Sequence, residues 1–236
     1  MLESDATTRS AQTPAPGAEL GGPHALQILT TEHWSLLASR SMGYTEAMSR
    51  VSIFVAALSG AVVALALVAQ ATDFGDGFVA FALVLLPVVY FLGIATVVRL
   101  AQINLEDARW VQGINRIRHA YLELAPVLEP YFVTGRYDDR AGLLQSAVTR
   151  ARPTVVPQQF VSSPGVVAIL DSVVAGAAVG VAGLGLGFGT AGSLAVGAIG
   201  FLASVALFAT WATRTISVWD AQLDPRFPTP PEQDSD

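Results

Sequence analysis

Residues 51–98 read VSIFVAALSGAVVALALVAQATDFGDGFVAFALVLLPVVYFLGIATVV, and this stretch decides the fold. It holds two apolar blocks, Val51–Ala71 and Phe78–Val98. Each has the roughly 20 apolar residues that a helix needs to cross the hydrocarbon core of a bilayer. Between them stands Thr72-Asp73-Phe74-Gly75-Asp76-Gly77, which carries the only charges in the stretch. So short a link folds the two blocks back on each other. Two further blocks, Val166–Phe188 and Leu194–Thr213, repeat the arrangement around Gly189-Thr190-Ala191-Gly192. The expectation is an all-α, polytopic membrane protein with four transmembrane helices in two antiparallel hairpins.

Composition agrees. Hydrophobic residues make up 52% of the chain and charged residues 14%, where a soluble domain carries about 25% charged. The lipid bilayer is therefore the first expected partner. A net charge of −6 argues against a nucleic-acid surface. There is no cysteine, which excludes disulfides, thiol catalysis and Cys-ligated metal centres. All 13 basic residues are arginine, and with the Ala, Gly and Val excess this points to a high-GC bacterial genome.

The arginines also orient the chain. Arg40 and Arg50 precede the first span, Arg214 follows the last, and eight more from Arg99 to Arg152 fill the central segment. The two short links hold none. By the positive-inside rule the arginine side is cytoplasmic, so the expected location is the bacterial plasma membrane with both termini inside.

Five regions follow. Residues 1–22 read as a disordered cytoplasmic tail without a signal peptide, and 23–130 as a cytoplasmic helix, two spans and a returning helix. Residues 131–164 form a cytoplasmic linker, 165–223 the third and fourth spans, and 224–236 a second disordered tail, rich in proline. Within the linker, Asp138-Asp139 should cap a short amphipathic helix carrying Leu143, Leu144, Ala147, Val148 and Ala151. Ser163-Pro164 reads as the cap and first-turn proline of the third span.

Beyond the membrane the first hairpin is expected to continue as a coiled-coil-like stalk. Leu100, Ile103, Asp107, Trp110, Ile114, Ile117, Tyr121, Leu124 and Leu128 alternate steps of three and four. Trp34, Leu37, Ser41, Tyr44, Met48 and Val51 do the same upstream. About 25 residues per helix give a stalk of roughly 38 Å, ended by Pro126 and Pro130. Pairing residues whose numbers sum to roughly 150 sets Trp34 against Ile114 and Ile117, Tyr44 against Ile103, and Leu26 against Leu124. It also sets Arg40 opposite Asp107, as a register-fixing ion pair. His33, His119 and Glu123 fall near one another, a pH switch or metal site in the sharper reading and polar flanks of the seam in the plainer one.

In the second hairpin small residues line up. Gly187 is set against Ser193, Gly183 against Gly197, Gly180 against Gly200 and Gly176 against Ser204, a zipper of closely approaching backbones. Ala56, Gly60 and Ala64 offer another small-residue face on the first span. Asp171 is the one acid inside a span's apolar run and so a functional candidate; Thr210 or Arg214 could satisfy it. Pro87 should kink the second span.

Leu26 to Arg40 (LQILTTEHWSLLASR) and Asn115 to Leu124 (NRIRHAYLEL) resemble a group of uncharacterised actinobacterial four-span membrane proteins, a likeness that covers most of the chain and implies no activity. The layout of a cytoplasmic helix, a two-span hairpin and a returning helix is similar to that of SLATT domains. That resemblance implies a membrane effector in bacterial conflict and leaves the third and fourth spans unexplained. The sequence offers no catalytic constellation and implies no cofactor or metal. It points to a non-enzymatic, self-associating scaffold, sensor or effector: a homo-oligomer with room for a cytoplasmic protein partner along the stalk. The alternative is an ion channel or pore-forming effector.

Overall fold

The structure, a computed structural model, describes residues 22–147 and 162–231. The tail to residue 21, Val148, Ala151 and residues 232–236 lie outside the described residues. The described elements are α1 (Pro23–Thr72), α2 (Asp76–Leu124), a 3-10 turn (Pro126–Tyr131), α3 (Arg140–Ala147), α4 (Ser163–Gly185) and α5 (Gly189–Ala221). α1, α2, α4 and α5 are each long and apolar enough to cross a membrane. The protein is all-α and polytopic.

Local chemistry sets the boundaries. α1 closes where Asp73 and Phe74 take left-handed backbone at φ 46° and 57°, and Gly75 leads into α2. α2 runs unbroken through Pro87 and stops at Leu124, because Pro126 disfavours helical geometry at the residue before it. α4 is capped by Ser162, whose hydroxyl accepts from the Gly165 N–H at 3.4 Å with Pro164 in the first turn. The cap is thus one residue earlier than the expected Ser163. α4 ends at Gly185, and the turn falls on Leu186-Gly187-Phe188 rather than on residues 189–192. Gly187 and Gly189 take φ of 82° and 65°, a region costly for any residue with a Cβ.

That earlier turn moves the zipper by one helical turn. Ser172 meets Ser204, Gly183 meets Ser193, and Gly180 packs on Gly197 and Ser193. Gly176 faces Gly197 and Phe201, Gly200 faces Val179, and Gly187 stands in the turn with nothing against it. The expected pairs Gly187–Ser193, Gly183–Gly197, Gly180–Gly200 and Gly176–Ser204 are corrected accordingly. Of the expected stripe, Ser172, Gly176, Gly180, Gly183, Ser193, Gly197 and Ser204 lie in the contact between α4 and α5, and Gly187 does not.

α2 is the central helix, with α1 on one side and α4 on another, and α5 packs on α4. Phe54, Leu86, Val97, Leu100, Val167, Val174 and Phe208 form the shared core. Between α1 and α2 the register is close to the expected one, with Arg40 on Asp107 and Leu36 against Gly113, but the seam on α1 is rotated by one position, so the expected seam places of Trp34, Tyr44 and Leu26 are corrected. Trp34 and Tyr44 are 69% and 68% exposed, and Leu26 is exposed too. Gly43 and Ala47 face inward instead. The reason is close packing: a Cβ on Gly43 would come within 2.8 Å of the Trp110 ring, and one on Gly113 within 2.9 Å of Leu36. Bulky residues on both helices would hold the axes apart, so small residues take the contact.

Candidate functional site

Two buried carboxyl groups stand out. Asp171 sits on α4 with no exposed surface, on the face that meets α2. The space it occupies exists because residue 93 is glycine: a Cβ there would overlap the Asp171 carboxyl group. Arg99 lies six residues beyond Gly93, so the carboxyl is about 9 Å inside the arginine-bearing end of α2. Neither carboxyl oxygen receives a hydrogen bond from any described residue. The expected partners are elsewhere, since the Thr210 hydroxyl donates to the Leu207 carbonyl and Arg214 is exposed.

Beside Asp171 the spans hold a small polar network. The Ser172 hydroxyl lies 2.7 Å from the Ala168 carbonyl and 3.0 Å from the Ser204 hydroxyl, and the Tyr90 hydroxyl lies 3.3 Å from Ser204. It ties α2, α4 and α5 together at one level. An apolar cavity of about 230 Å³ opens next to it, lined by Val97, Ala168, Ser172, Phe208 and Trp211, with Asn104 and Thr215 towards its extramembrane end.

Asp138 is the second buried carboxyl, also without exposed surface. It lies between α2 and the chain that follows α5. Arg116 Nε donates to Oδ2 at 2.6 Å, the Arg226 N–H to Oδ2 at 2.9 Å and the Phe227 N–H to Oδ1 at 2.7 Å. The Asp138 N–H donates back to the Phe227 carbonyl at 3.1 Å. Burial alone pushes the Asp138 carboxyl up, but the donors from Arg226, Arg116 and Phe227 outweigh it and hold it below the usual carboxylate range. Asp139 accepts from the Gly142 N–H at 2.9 Å, as the expected cap of α3, and also from the Thr229 N–H and hydroxyl at 3.1 and 2.8 Å. Burial raises its carboxyl too, and the Gly142 and Thr229 donors bring it below the usual range.

This clasp corrects the reading of residues from Asp224 as a disordered tail: through Thr229 the chain is pinned to α2 and the approach to α3. Arg116 Nη2 also donates to the Asp224 carbonyl, and Arg140 pairs with Asp220 at 2.6 Å. Asn115, fully buried, donates to the Tyr137 and Gly142 carbonyls and accepts from the Ser146 hydroxyl. Sequence reading missed Asn115 and the second role of the Asp pair. The available signal was a polar residue beside the apolar seam of α2.

The other candidates are placed as follows. Arg40 and Asp107 form the expected ion pair, and its geometry is bidentate, at 2.6 and 3.1 Å. A second charged cluster joins Glu46 to Arg50 and to Arg99, which also reaches Glu106. Hydrogen bonds from Arg99 and then Arg50 take the Glu46 carboxyl down to about 2. His33 and His119 belong to separate contacts: His33 stacks on Tyr121 at 5.8 Å, and His119 stacks on Phe227 at 4.1 Å. Burial, then the charge of Arg118, lowers the His33 pKa. Glu123 lies 3.5 Å from His119. Among the described residues no three His, Asp or Glu gather as metal ligands. A cleft of about 760 Å³ separates the arm of the first hairpin from α3 and the end of α5, lined by Tyr44, Trp110, Trp219 and the Arg40–Asp107 and Arg140–Asp220 pairs.

Fold and site together define a multi-pass α-helical membrane protein. Comparison with family models, curated proteins and solved structures gave no match for this chain.

Proposed function

We propose that this chain is a non-enzymatic membrane protein of the bacterial plasma membrane, both termini cytoplasmic, that self-associates and acts as a scaffold, sensor or effector. The observation that carries self-association is the outer face of α1. Ser52, Ala56, Ser59, Gly60 and Val63 share that face and are exposed, and a Cβ added at Gly60 meets nothing within 4 Å. The glycines at 93, 176, 180 and 197 on the other spans are instead covered within the chain. A second copy of α1 fits that face by the packing that small residues permit in lipid. The exposed Trp34 and Met42 extend the open apolar surface along the cytoplasmic arm, where a protein partner would dock. The test is a disulfide: with no native cysteine, Gly60→Cys should give a covalent dimer in oxidised membranes. Ala61→Cys, on the covered face, should not. Equal dimer from both positions, or none from either, sinks this face as the interface.

A second reading, an ion channel or pore-forming effector, is favoured by Asp171. Ionisable groups within spans mark ion or proton paths, and this one has no hydrogen bond from the described residues. Proton or cation flux into liposomes holding the purified protein, lost in Asp171→Asn, would move the assignment to a channel. Absence of flux keeps the scaffold or sensor role.

A further inference from the structure

We propose that Asp171 is a proton-binding site that controls how the second hairpin packs against α2. Three observations meet there. The carboxyl group is fully enclosed, neither oxygen is hydrogen-bonded to a described residue, and the facing helix is cut back to glycine at residue 93 to receive it. A side chain that merely fitted a packed seam would not need a polar head, and a structural polar group would have a donor.

Among the described residues no fixed positive charge faces the group. α1 has no ionisable residue between Val51 and Thr72, and α5 has none between Gly189 and Thr213. Asp171 is the only one on α4. On α2 the nearest titratable groups are Tyr90, bonded to Ser204, and Arg99, held by Glu46 and Glu106. An isolated carboxylate anion in such a place is unstable and draws a proton, a cation or water. A hard metal cation takes about six or more oxygen ligands when it sheds water, and here the nearby hydroxyls of Ser172 and Ser204 are bonded to each other. A proton needs one oxygen. The geometry therefore favours the proton.

The consequence is mechanical. With the carboxyl neutral, α4 lies flush on α2 and the Tyr90–Ser204–Ser172 network is closed. When the proton leaves, the anion needs water or a donor, and the seam at Gly93 must widen to admit it. Acid closes the two hairpins on each other and alkali separates them. This inference rests on the membrane placement of the spans and is independent of self-association.

The test uses the full chain in lipid nanodiscs, spin-labelled at Phe74→Cys and Phe188→Cys, the exposed tips of the two hairpins. The protein has no native thiol, and dilution with unlabelled protein isolates distances within one chain whether or not copies associate. Between pH 5 and pH 9 the tip-to-tip distance should lengthen by about 5 Å, half the spacing of packed helices. Asp171→Asn, which keeps the shape without the charge, and Asp171→Leu should stay short at both pH values. A wild-type distance that does not change, or the same change in both variants, overturns the proposal. So does contraction at pH 8 when choline is replaced by sodium, since that makes the ligand a metal cation.

Discussion

Asp138 and Asp171 are both sealed from solvent, and their surroundings are opposite. Outside the membrane, Asp138 is met by a guanidinium and two backbone N–H groups, and its burial is compensated by drawing an extended segment against α2. Inside the spans, Asp171 is met by none from the described residues. The difference is one of supply. Helical backbone in a span spends its N–H groups on its own carbonyls, so only side chains can answer a buried acid there, and the residues around Asp171 are small or apolar. An irregular segment such as 224–229 has free N–H groups to give. A carboxylate that is answered becomes a structural anchor, and one left unanswered is sensitive to its own charge.

The sharpest way to break this contrast is to remove each carboxyl. Asp138→Ala removes the acceptor of Arg116 Nε, which keeps its Asp224 contact, and leaves the Arg226 and Phe227 amides unpaired, so the docked segment should lose about 2–5 kcal/mol, at roughly 1–3 for each orphaned donor. Hydrogen exchange at Arg226 and Phe227 and tryptic cleavage after Arg226 would report it. Asp171→Leu should have the opposite sign, with thermal stability in detergent unchanged or raised, because no partner is orphaned. A large loss there would mean that Asp171 has a structural partner after all. Acid gives a second view of the same clasp. The Asp138 and Asp139 carboxyls are held below their usual range, so the stability they add is present above the unfolded value of about 3.9. It is lost as pH falls through the lower folded values. Exchange at Phe227 should stay slow from neutral pH down to about 4 and accelerate only below it.

The glycine faces supply an intermediate effect. A Cβ at Gly176 would lie 2.9 Å from the Gly197 carbonyl and 3.0 Å from Phe201, so Gly176→Leu should separate α4 from α5 and cost about 1–3 kcal/mol through overpacking. Gly60→Leu meets open space. It should leave the stability of the single chain unchanged and reduce self-association, read by cross-linking in membranes. If the two substitutions destabilise the monomer equally, the division between covered and open small-residue faces is wrong.

How much of this was legible in the sequence depended on the kind of interaction. The four spans and their hairpins were, because an uninterrupted apolar run of about 20 residues matches the thickness of a bilayer and little else. The Arg40–Asp107 pair was as well, since a tight turn fixes the pairing of the helices it joins. The zipper stripe was visible but its register was not: moving the turn from residues 189–192 to 186–188 shifts every pair by one turn. The seam on α1 was misplaced because the pattern was sought in large apolar residues, whereas the contact is made by Gly43 and Ala47. Asp171 was visible as a charge in an apolar run, but its lack of a partner was not, since Thr210 and Arg214 lay within plausible reach on α5. The clasp was hidden twice over. Proline-rich composition reads as disorder, and the bonds that hold Arg226, Phe227 and Thr229 come from Asp138 and Asp139, 88 to 90 residues away.

The Arg40–Asp107 pair completes the comparison as the carboxylate that is partnered but not buried. Both side chains keep over a third of their surface in contact with water, so screening and side-chain entropy offset most of the attraction despite the bidentate geometry. A double-mutant cycle on Arg40→Ala and Asp107→Ala should give a coupling of about 0.2–1 kcal/mol, well below the loss at Asp138, and smaller still in high salt. The pair's larger effect should be on register. Swapping the charges, Arg40→Asp with Asp107→Arg, should keep a disulfide between cysteines placed at Leu36 and Gly113, which touch across the seam. Either single reversal sets like charges face to face and should slow that disulfide. A coupling of several kcal/mol would place this pair with Asp138 as an anchor, and would mean that exposure does not decide how strongly a carboxylate holds this fold.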